Sequence, residues 1–297
     1  MKNKFVRNAL AFFAIFTMTI TGAMANTLEK AKTTGKFTLA YRESSIPFSY
    51  LGEDGKPLGF GWEMCKLIAE EVKKETGRKD LVVESQAVTS QNRIPLIQNG
   101  TVDVECGSTT NNSERGKQVT FAINYFYTGT RFLVKADSGI KSINDLKGKK
   151  VVSTTGTTNY QILRNLNDEK KYGFELLGAK DHADALLMVE SGMAHAFGMD
   201  DILLYGLKAS SKESAKLAVV GESIQVEPYA IMFRKDDPKF QALVNKVITN
   251  SMKSGEFEKA YKKWFQTNIP PKNVNLNAPM SKELKDNLKA LSDKPAL

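Results

Sequence analysis

Apolar and polar positions along this chain change period repeatedly. In KFTLAYR, residues 36–42, apolar and polar side chains alternate, the period-two mark of a strand covered on one face. The turn-rich SYLGEDGKPLGFG follows, punctuated by Asp54-Gly55 and Lys56-Pro57. WEMCKLIAEEVKKETG then moves to helical spacing, with Trp62, Cys65, Leu67, Ile68 and Val72 on one stripe and Gly77 as a C-cap. DLVVESQAV predicts a second strand, NRIPLIQNG a short helix and TVDVEC a third strand. The sum is βαβαβ with right-handed crossovers, the pattern of a mostly parallel sheet flanked by helices.

Residues 119–135, VTFAINYFYTGTRFLVK, change character. They are aromatic and β-branched with one glycine, and predict a long strand that crosses between two structural units. Strand–helix alternation then resumes: SINDLKGKK (short helix and turn), KVVSTTG (strand), TTNYQILRNLND (helix), FELLGAK (strand), HADALLMVESG (helix), AHAFGMD (strand) and DILLYGLKAS (helix). A second extended segment, Val226 to Arg234, supplies the return crossing. KFQALVNKVITNSMKSGEFEKAYKKWF reads as amphipathic helix with Phe240, Leu243 and Val247 on one stripe. The tail opens as loop because Pro270 and Pro271 lack amide donors.

These elements define a two-lobed α/β fold, each lobe a mostly parallel sheet flanked by helices. One lobe is discontinuous, residues 26–130 and 227–297, and the other is inserted as residues 131–226. A cleft is expected at the two crossing strands, where domain joins and carboxyl ends of parallel strands receive ligands.

Composition changes the picture in three places. Lys2, Lys4 and Arg7 precede an apolar run from Leu10 to Ile20, and Ala23-Met24-Ala25 is a small-x-small cleavage pattern. Residues 1–25 therefore predict a cleaved secretory signal, and no later stretch approaches a membrane span. The net charge of +9 is spread among mixed acids and bases, as in EKAYKKWF, which permits an anionic ligand but lacks the concentrated basic face of a nucleic-acid binder. Cys65 and Cys106 are an even pair in an oxidising compartment. They can form one disulfide if helix and strand end are adjacent, and otherwise remain buried thiols.

The segments YRESSIPFSY, TSQNRIPLIQNG, DVECGSTTNNSERGKQVTF, the Gly-Thr-Thr of 156–158, KDH, GMDD, FRKDDP and KWFQTNIPPKNVN together resemble the periplasmic binding proteins for glutamate and aspartate. That branch belongs to the bacterial extracellular solute-binding proteins for polar amino acids, receptors of ABC importers. The resemblance spans essentially the whole mature chain. It implies a periplasmic, monomeric receptor for L-glutamate or L-aspartate that hands its cargo to transmembrane permease subunits and uses no cofactor.

An amino acid enclosed in a cleft loses water from both charges, and each charge then needs a partner. By the resemblance, Arg115 would fork the α-carboxylate, with backbone N–H groups of Thr110 and Thr158 completing the cradle. Thr157 and Thr158 open a predicted helix, whose terminus favours an anion. Asp200 would pair with the α-ammonium, with Ser108 adding an acceptor and Asp201 left to cap the following helix. Arg42, Ser90, Arg93 and His182 match the positions that hold a side-chain carboxylate. Two buried arginines without a second anion would repel each other. Tyr41, Phe48 and Tyr50 are candidate cleft walls, and His195 reads as structural.

No nucleophile–base pairing, metal-ligand spacing or phosphate loop appears in the sequence. A cyclohexadienyl dehydratase-like enzyme is the alternative, because that chemistry shares the fold and takes a dicarboxylate.

Overall fold

Residues 26–296 are described by the computed structural model, so the signal expected over residues 1–25 lies outside the described residues. Helix α1 (Thr27–Thr34) starts at Asn26, whose side chain accepts the Glu29 N–H. Strand β1 (Lys36–Tyr41) follows, then a small antiparallel sheet of β2 (Ser44–Ser45), β3 (Ser49–Leu51) and β4 (Pro57–Leu58). Helix α2 (Phe60–Thr76) buries Trp62, Met64, Cys65, Ile68, Ala69 and Val72 on one face and ends at Gly77, left-handed at φ 67°. Strand β5 (Val82–Ala87), helix α3 (Arg93–Gln98), strand β6 (Val104–Glu105) and helix α4 (Ser113–Gly116) complete this stretch. β5 and β6 both pair in parallel with β1. β6 is shorter than TVDVEC predicts because the Asp103 carboxylate, not a strand carbonyl, accepts the Thr38 N–H at 2.8 Å.

Strand β7 (Val119–Lys135) is a buried 17-residue span. Beyond it come β8 (Lys150–Thr154), α5 (Thr158–Lys170), β9 (Glu175–Ala179), α6 (His182–Glu190), β10 (Ala196–Asp200), α7 (Asp201–Ser210) and β11 (Leu217–Val220). Strand β12 (Val226–Arg234) then returns. β12 pairs antiparallel with Val119–Gly129 of β7, whereas the far end of β7 pairs with β10 and β11. The nine-stranded order is β5-β1-β6-β12-β7-β10-β8-β9, with β11 also on β7. β7 and β12 are thus the two crossing strands, with parallel βα units on either side: a two-lobed α/β fold.

The carboxy-terminal part contains helices α8 (Pro238–Ser254) and α9 (Glu256–Phe265), strands β13 (Asn268–Ile269) and β14 (Val274–Asn275), and helix α10 (Lys282–Ala290). The sequence reads the first two as one helix, but Gly255 at φ 80° turns the chain between them. The buried stripe of α8 runs through Phe240, Leu243, Val244 and Ile248, with Val247 at its margin. Phe48 packs on Phe60, Tyr125, Phe126, Tyr229 and Phe265, and the Tyr50 hydroxyl donates to the Pro270 carbonyl. Both are core residues rather than cleft walls, while half-buried Tyr41 rests edge-on against Trp62.

Cys65 and Cys106 form a disulfide with Cα atoms 5.7 Å apart, which ties α2 to the end of β6. For its 41-residue separation such a link contributes on the order of 3–4 kcal/mol. His195 is exposed just before β10, and its Nδ1 accepts the Lys150 N–H at 3.1 Å. Among the described residues, no helix is long and apolar enough to cross a membrane.

Candidate functional site

Three of the side chains singled out above, Arg42, Ser90 and His182, meet where the end of β1 faces the start of α6. Arg42 follows β1 and is fully buried. Its Nη2 donates to Ser90 Oγ at 2.9 Å, lies 3.4 Å from His182 Nε2 and 3.6 Å from the Asp181 carboxylate. Guanidinium can only donate, so His182 accepts through Nε2 and carries its proton on Nδ1, 2.8 Å from Thr154 Oγ1. Burial, then the Arg42 cation, pushes the imidazole pKa down to about 3, against the opposing Asp181 charge. The ring is neutral. Asp181, not His182, caps α6, which leaves the histidine ring free to point inward.

Arg93, the first residue of α3, is 2% exposed. Burial pulls its pKa well below the ordinary value, and the cations of Arg115 and Arg42 add to that. Nε and Nη1 of both Arg42 and Arg93 have no hydrogen-bond partner among the described residues. A buried donor left unmade costs about 1–3 kcal/mol, and more when charged. These nitrogens ask for an anion.

The other end of the cleft is built around Arg115. Asn112 accepts the Arg115 N–H and caps α4, placing the guanidinium so that Nη1 donates to the Thr110 carbonyl at 2.9 Å. Nη2 reaches across to the Gly156 carbonyl at 3.3 Å. Gly156 (φ +78°) comes so close to the opposite half that a Cβ would sit 2.7 Å from the Gln91 Cα, an approach glycine alone allows. Thr157 Oγ1 caps α5 by accepting the Tyr160 N–H and itself donates to the Thr154 carbonyl. Only its main chain can face a ligand. Ser108 Oγ donates to Ser45 Oγ at 3.1 Å.

Asp200 is buried, and its side chain makes no capping bond to α7. It accepts from Asn159 Nδ2 at 2.8 Å and from the Tyr229 hydroxyl at 2.5 Å. Burial holds this carboxyl well above the usual range, the Glu227 charge adds to the effect, and the two hydrogen bonds oppose it. Asp201, expected as a cap, instead accepts the Thr128 hydroxyl at 2.7 Å.

Sequence reasoning missed three members of this end: Glu227, Asn159 and Tyr229. Glu227 is fully buried on β12, and its Oε2 accepts from Thr110 Oγ1 and Thr158 Oγ1, each at 2.5 Å. One carboxylate therefore joins the two sides of the cleft. An acid one residue before Pro228 in an otherwise apolar crossing strand was the available signal.

Two guanidinium groups with open donors thus lie at one end, and a cation among buried carboxylates at the other. No cluster of metal-ligating residues occurs among the described residues. Residues 37–267 match the bacterial extracellular solute-binding proteins, family 3, and the chain belongs to that family. Among its relatives, the L-glutamate/L-aspartate-binding protein of Pseudomonas aeruginosa is 50% identical over 274 residues, 92% of this chain and 91% of its own. The glutamate/aspartate import solute-binding protein of Escherichia coli K12 is 46% identical over 272 residues, 92% and 90% of the two chains. In structure, an ancestral arginine-binding protein bound to arginine is similar with a TM-score of 0.69 at 31% identity, covering 78% of this chain and 98% of its own. An ancestral amino acid-binding protein, a precursor of cyclohexadienyl dehydratase, has a TM-score of 0.69 at 28% identity, covering 80% and 99%.

Proposed function

We propose that this protein binds L-glutamate or L-aspartate in the cleft between its lobes and delivers it to the transmembrane permease subunits of an ABC importer. The observation that carries the reading is the pair of buried arginines, Arg42 and Arg93, whose Nε and Nη1 groups are unpartnered among the described residues. A neutral amino acid would leave those donors unmade, with only Asp181 at 3.6 Å from Arg42 against the two cations, whereas a side-chain carboxylate meets them with Ser90 and His182 alongside. Arg115 and the main-chain N–H groups of Thr110, Thr157 and Thr158 take the α-carboxylate, and Asp200 with Ser108 takes the α-ammonium. Charge-assisted bonds of about 1.5–3 kcal/mol each reach, after desolvation, the roughly 8 kcal/mol of micromolar binding. The lobes are residues 26–130 with 227–297, and 131–226. The receptor acts in the periplasm as a monomer without catalysis. Contacts from both lobes favour the closed form, which a permease can distinguish.

The dehydratase reading has one observation in its favour. A carboxyl held toward its protonated form, Asp200, lies in a cation-lined cleft and could donate a proton to a dicarboxylate. Calorimetry with glutamate, aspartate, glutamine, asparagine and prephenate, with ultraviolet detection of prephenate turnover, separates the two. Tight binding confined to the acidic amino acids supports the receptor. Turnover of prephenate, or equal affinity for glutamine and glutamate, overturns it.

A further inference from the structure

The loop between Thr110 and Arg115 is held from behind by the far end of the chain. Its backbone is pinned to β12 by Ala230 N–H to the Thr109 carbonyl at 3.1 Å and Asn111 N–H to the Pro228 carbonyl at 2.8 Å. The Asn111 carbonyl is taken by the Ala296 N–H at 2.9 Å, and Asn112 bridges in parallel with Ala296. The Asn111 side chain, 3% exposed, donates to the Asp293 carbonyl at 2.7 Å and to Asn124 Oδ1 at 3.0 Å.

Asn124 repeats the arrangement one layer deeper. It lies on β7 opposite Ala230, where the β7–β12 ladder breaks register. Its N–H donates to the Ser292 carbonyl at 3.0 Å, its Nδ2 to the Lys294 carbonyl at 2.8 Å, and its own carbonyl accepts from Asn287 Nδ2 at 2.7 Å. Asn287 on α10 also accepts the Ser292 N–H at 2.9 Å, fixing the turn at Leu291 (φ 51°) through which the tail leaves the helix. Two buried asparagines, Asn111 and Asn124, thus commit their amides to the tail, and buried Asn287 at the start of the same segment ties it back to β7. Surface packing alone needs no buried amides, and amide groups desolvated in this number are maintained by complete hydrogen bonding. The tail lies beyond residue 267, where the family match stops.

We propose that residues 287–296 are a brace for the ligand-binding loop, with Asn111 and Asn124 as positioning residues that hold Thr110 and Arg115 in the geometry the ligand's α-carboxylate needs. The assignment of that carboxylate rests on the function proposed above. A loop already ordered before binding loses less freedom when ligand arrives, so the brace acts by pre-organisation. It touches the end common to every amino acid and leaves the Arg42–Arg93 end alone.

Two variants test this: a chain ended after Leu291, and Asn111→Ala. Both are compared with the parent by calorimetry against glutamate, aspartate and glutamine, and by hydrogen exchange of amides 110–116. The expected result is a loss of about tenfold for every ligand that the parent binds measurably, within the range for residues that act on a site without touching its ligand. Exchange over 110–116 speeds up, amides of α5 and α6 are unchanged, and Asn111→Ala in the shortened chain adds little. Affinity within twofold of the parent in Asn111→Ala, with exchange unaltered, overturns the brace even if the shortened chain fails to fold. A parent that binds no acidic amino acid instead overturns the proposed function. In that case faster exchange over 110–116 still supports the brace, and unaltered exchange removes it.

Discussion

At one end of the cleft, Arg42 and Arg93 are buried with four guanidinium nitrogens unpartnered among the described residues. At the other, Arg115 donates to two carbonyls and shares its surroundings with Asp200, Glu227 and Glu105. The same side-chain type thus has open donors at one end and internal carbonyl partners at the other. On the proposed reading, the Arg115 end would exchange its internal partners for the ammonium and carboxylate of any α-amino acid and so supply grip without discrimination. The other end has open guanidinium donors and only Asp181, 3.6 Å from Arg42, as a close carboxylate, and on the proposed reading the ligand's second anion completes it. On the proposed function, selectivity for acidic side chains would reside in the donors the protein leaves open, because a buried unmatched charge penalises every ligand that fails to match it.

The largest effect should come from removing the shared grip. Arg115→Ala is expected to weaken glutamate, aspartate and glutamine alike by about 2–5 kcal/mol, the usual result of truncating one partner of a buried charge pair, and so by roughly 30-fold to several thousandfold. Calorimetry gives the comparison directly. A loss confined to acidic ligands would exchange the roles of the two ends.

Arg93→Ala should divide the panel instead. Glutamate and aspartate are expected to lose about 100-fold, or roughly 2.7 kcal/mol, while glutamine changes by less than about threefold and can even improve as the repulsion with Arg42 is relieved. Equal losses for acid and amide would erase the contrast.

How far the sequence foretold these ends differs in an instructive way. Arg42, Ser90, Arg93 and His182 each sit within a short motif of the resemblance, and the structure brings Ser90 and His182 to the Arg42 guanidinium, with the Arg93 cation near enough to be felt by both Arg42 and His182. The crossing strands were equally clear, since Val119–Lys135 and Val226–Arg234 are long segments dominated by aromatic, aliphatic and β-branched residues. Glu227 offered only a weak signal, an acid in an apolar crossing strand. Its role arises only when residues 110, 158 and 227 converge, and a lone acid in a strand carries no local period. Asn159 and Tyr229 were hidden likewise, as one polar side chain in a helix and one aromatic in a core strand. The brace escaped because its contacts are mostly main-chain carbonyls of a polar tail, which leave no side-chain signature. Gly255 split one expected helix because a regular apolar stripe continued in the sequence past a residue that turns the backbone.

Asp200 sharpens the comparison through pH. Its carboxyl is held toward the protonated form in the free protein, and a ligand ammonium favours the ionised form. Binding therefore releases a proton wherever free Asp200 is protonated, and affinity should rise with pH by up to tenfold per unit through that range before levelling. His182, with its pKa pushed down to about 3, is already neutral in the free protein between about pH 5 and pH 8. Asp200→Asn should abolish the rise, weaken glutamate by roughly 30-fold, or about 2 kcal/mol, and leave glutarate, which has no ammonium, within about threefold. A slope that survives the substitution would move the titration to another group.

The smallest effect, and the finest test, belongs to Glu227, where charge and hydrogen bonding pull in opposite directions. In Glu227→Gln the amide oxygen can still accept from Thr110 and Thr158 across the cleft, but the negative charge beside Arg115 and Asp200 is gone. Arg115 is then freer to attract the ligand's carboxylate, and Asp200 ionises more readily once its like-charged neighbour is neutral. Glutamate should bind about twofold to threefold more tightly, a gain of roughly 0.5 kcal/mol, with the pH rise displaced to lower pH. Glu227→Ala removes the acceptor as well, leaving both threonine hydroxyls without their bridge, and should weaken binding despite the same loss of charge. Opposite signs for the two substitutions would separate the carboxylate's bridging from its charge. Weakening in both would mean that the Arg115 end needs its full negative complement, and that its balance is set as tightly as the imbalance opposite.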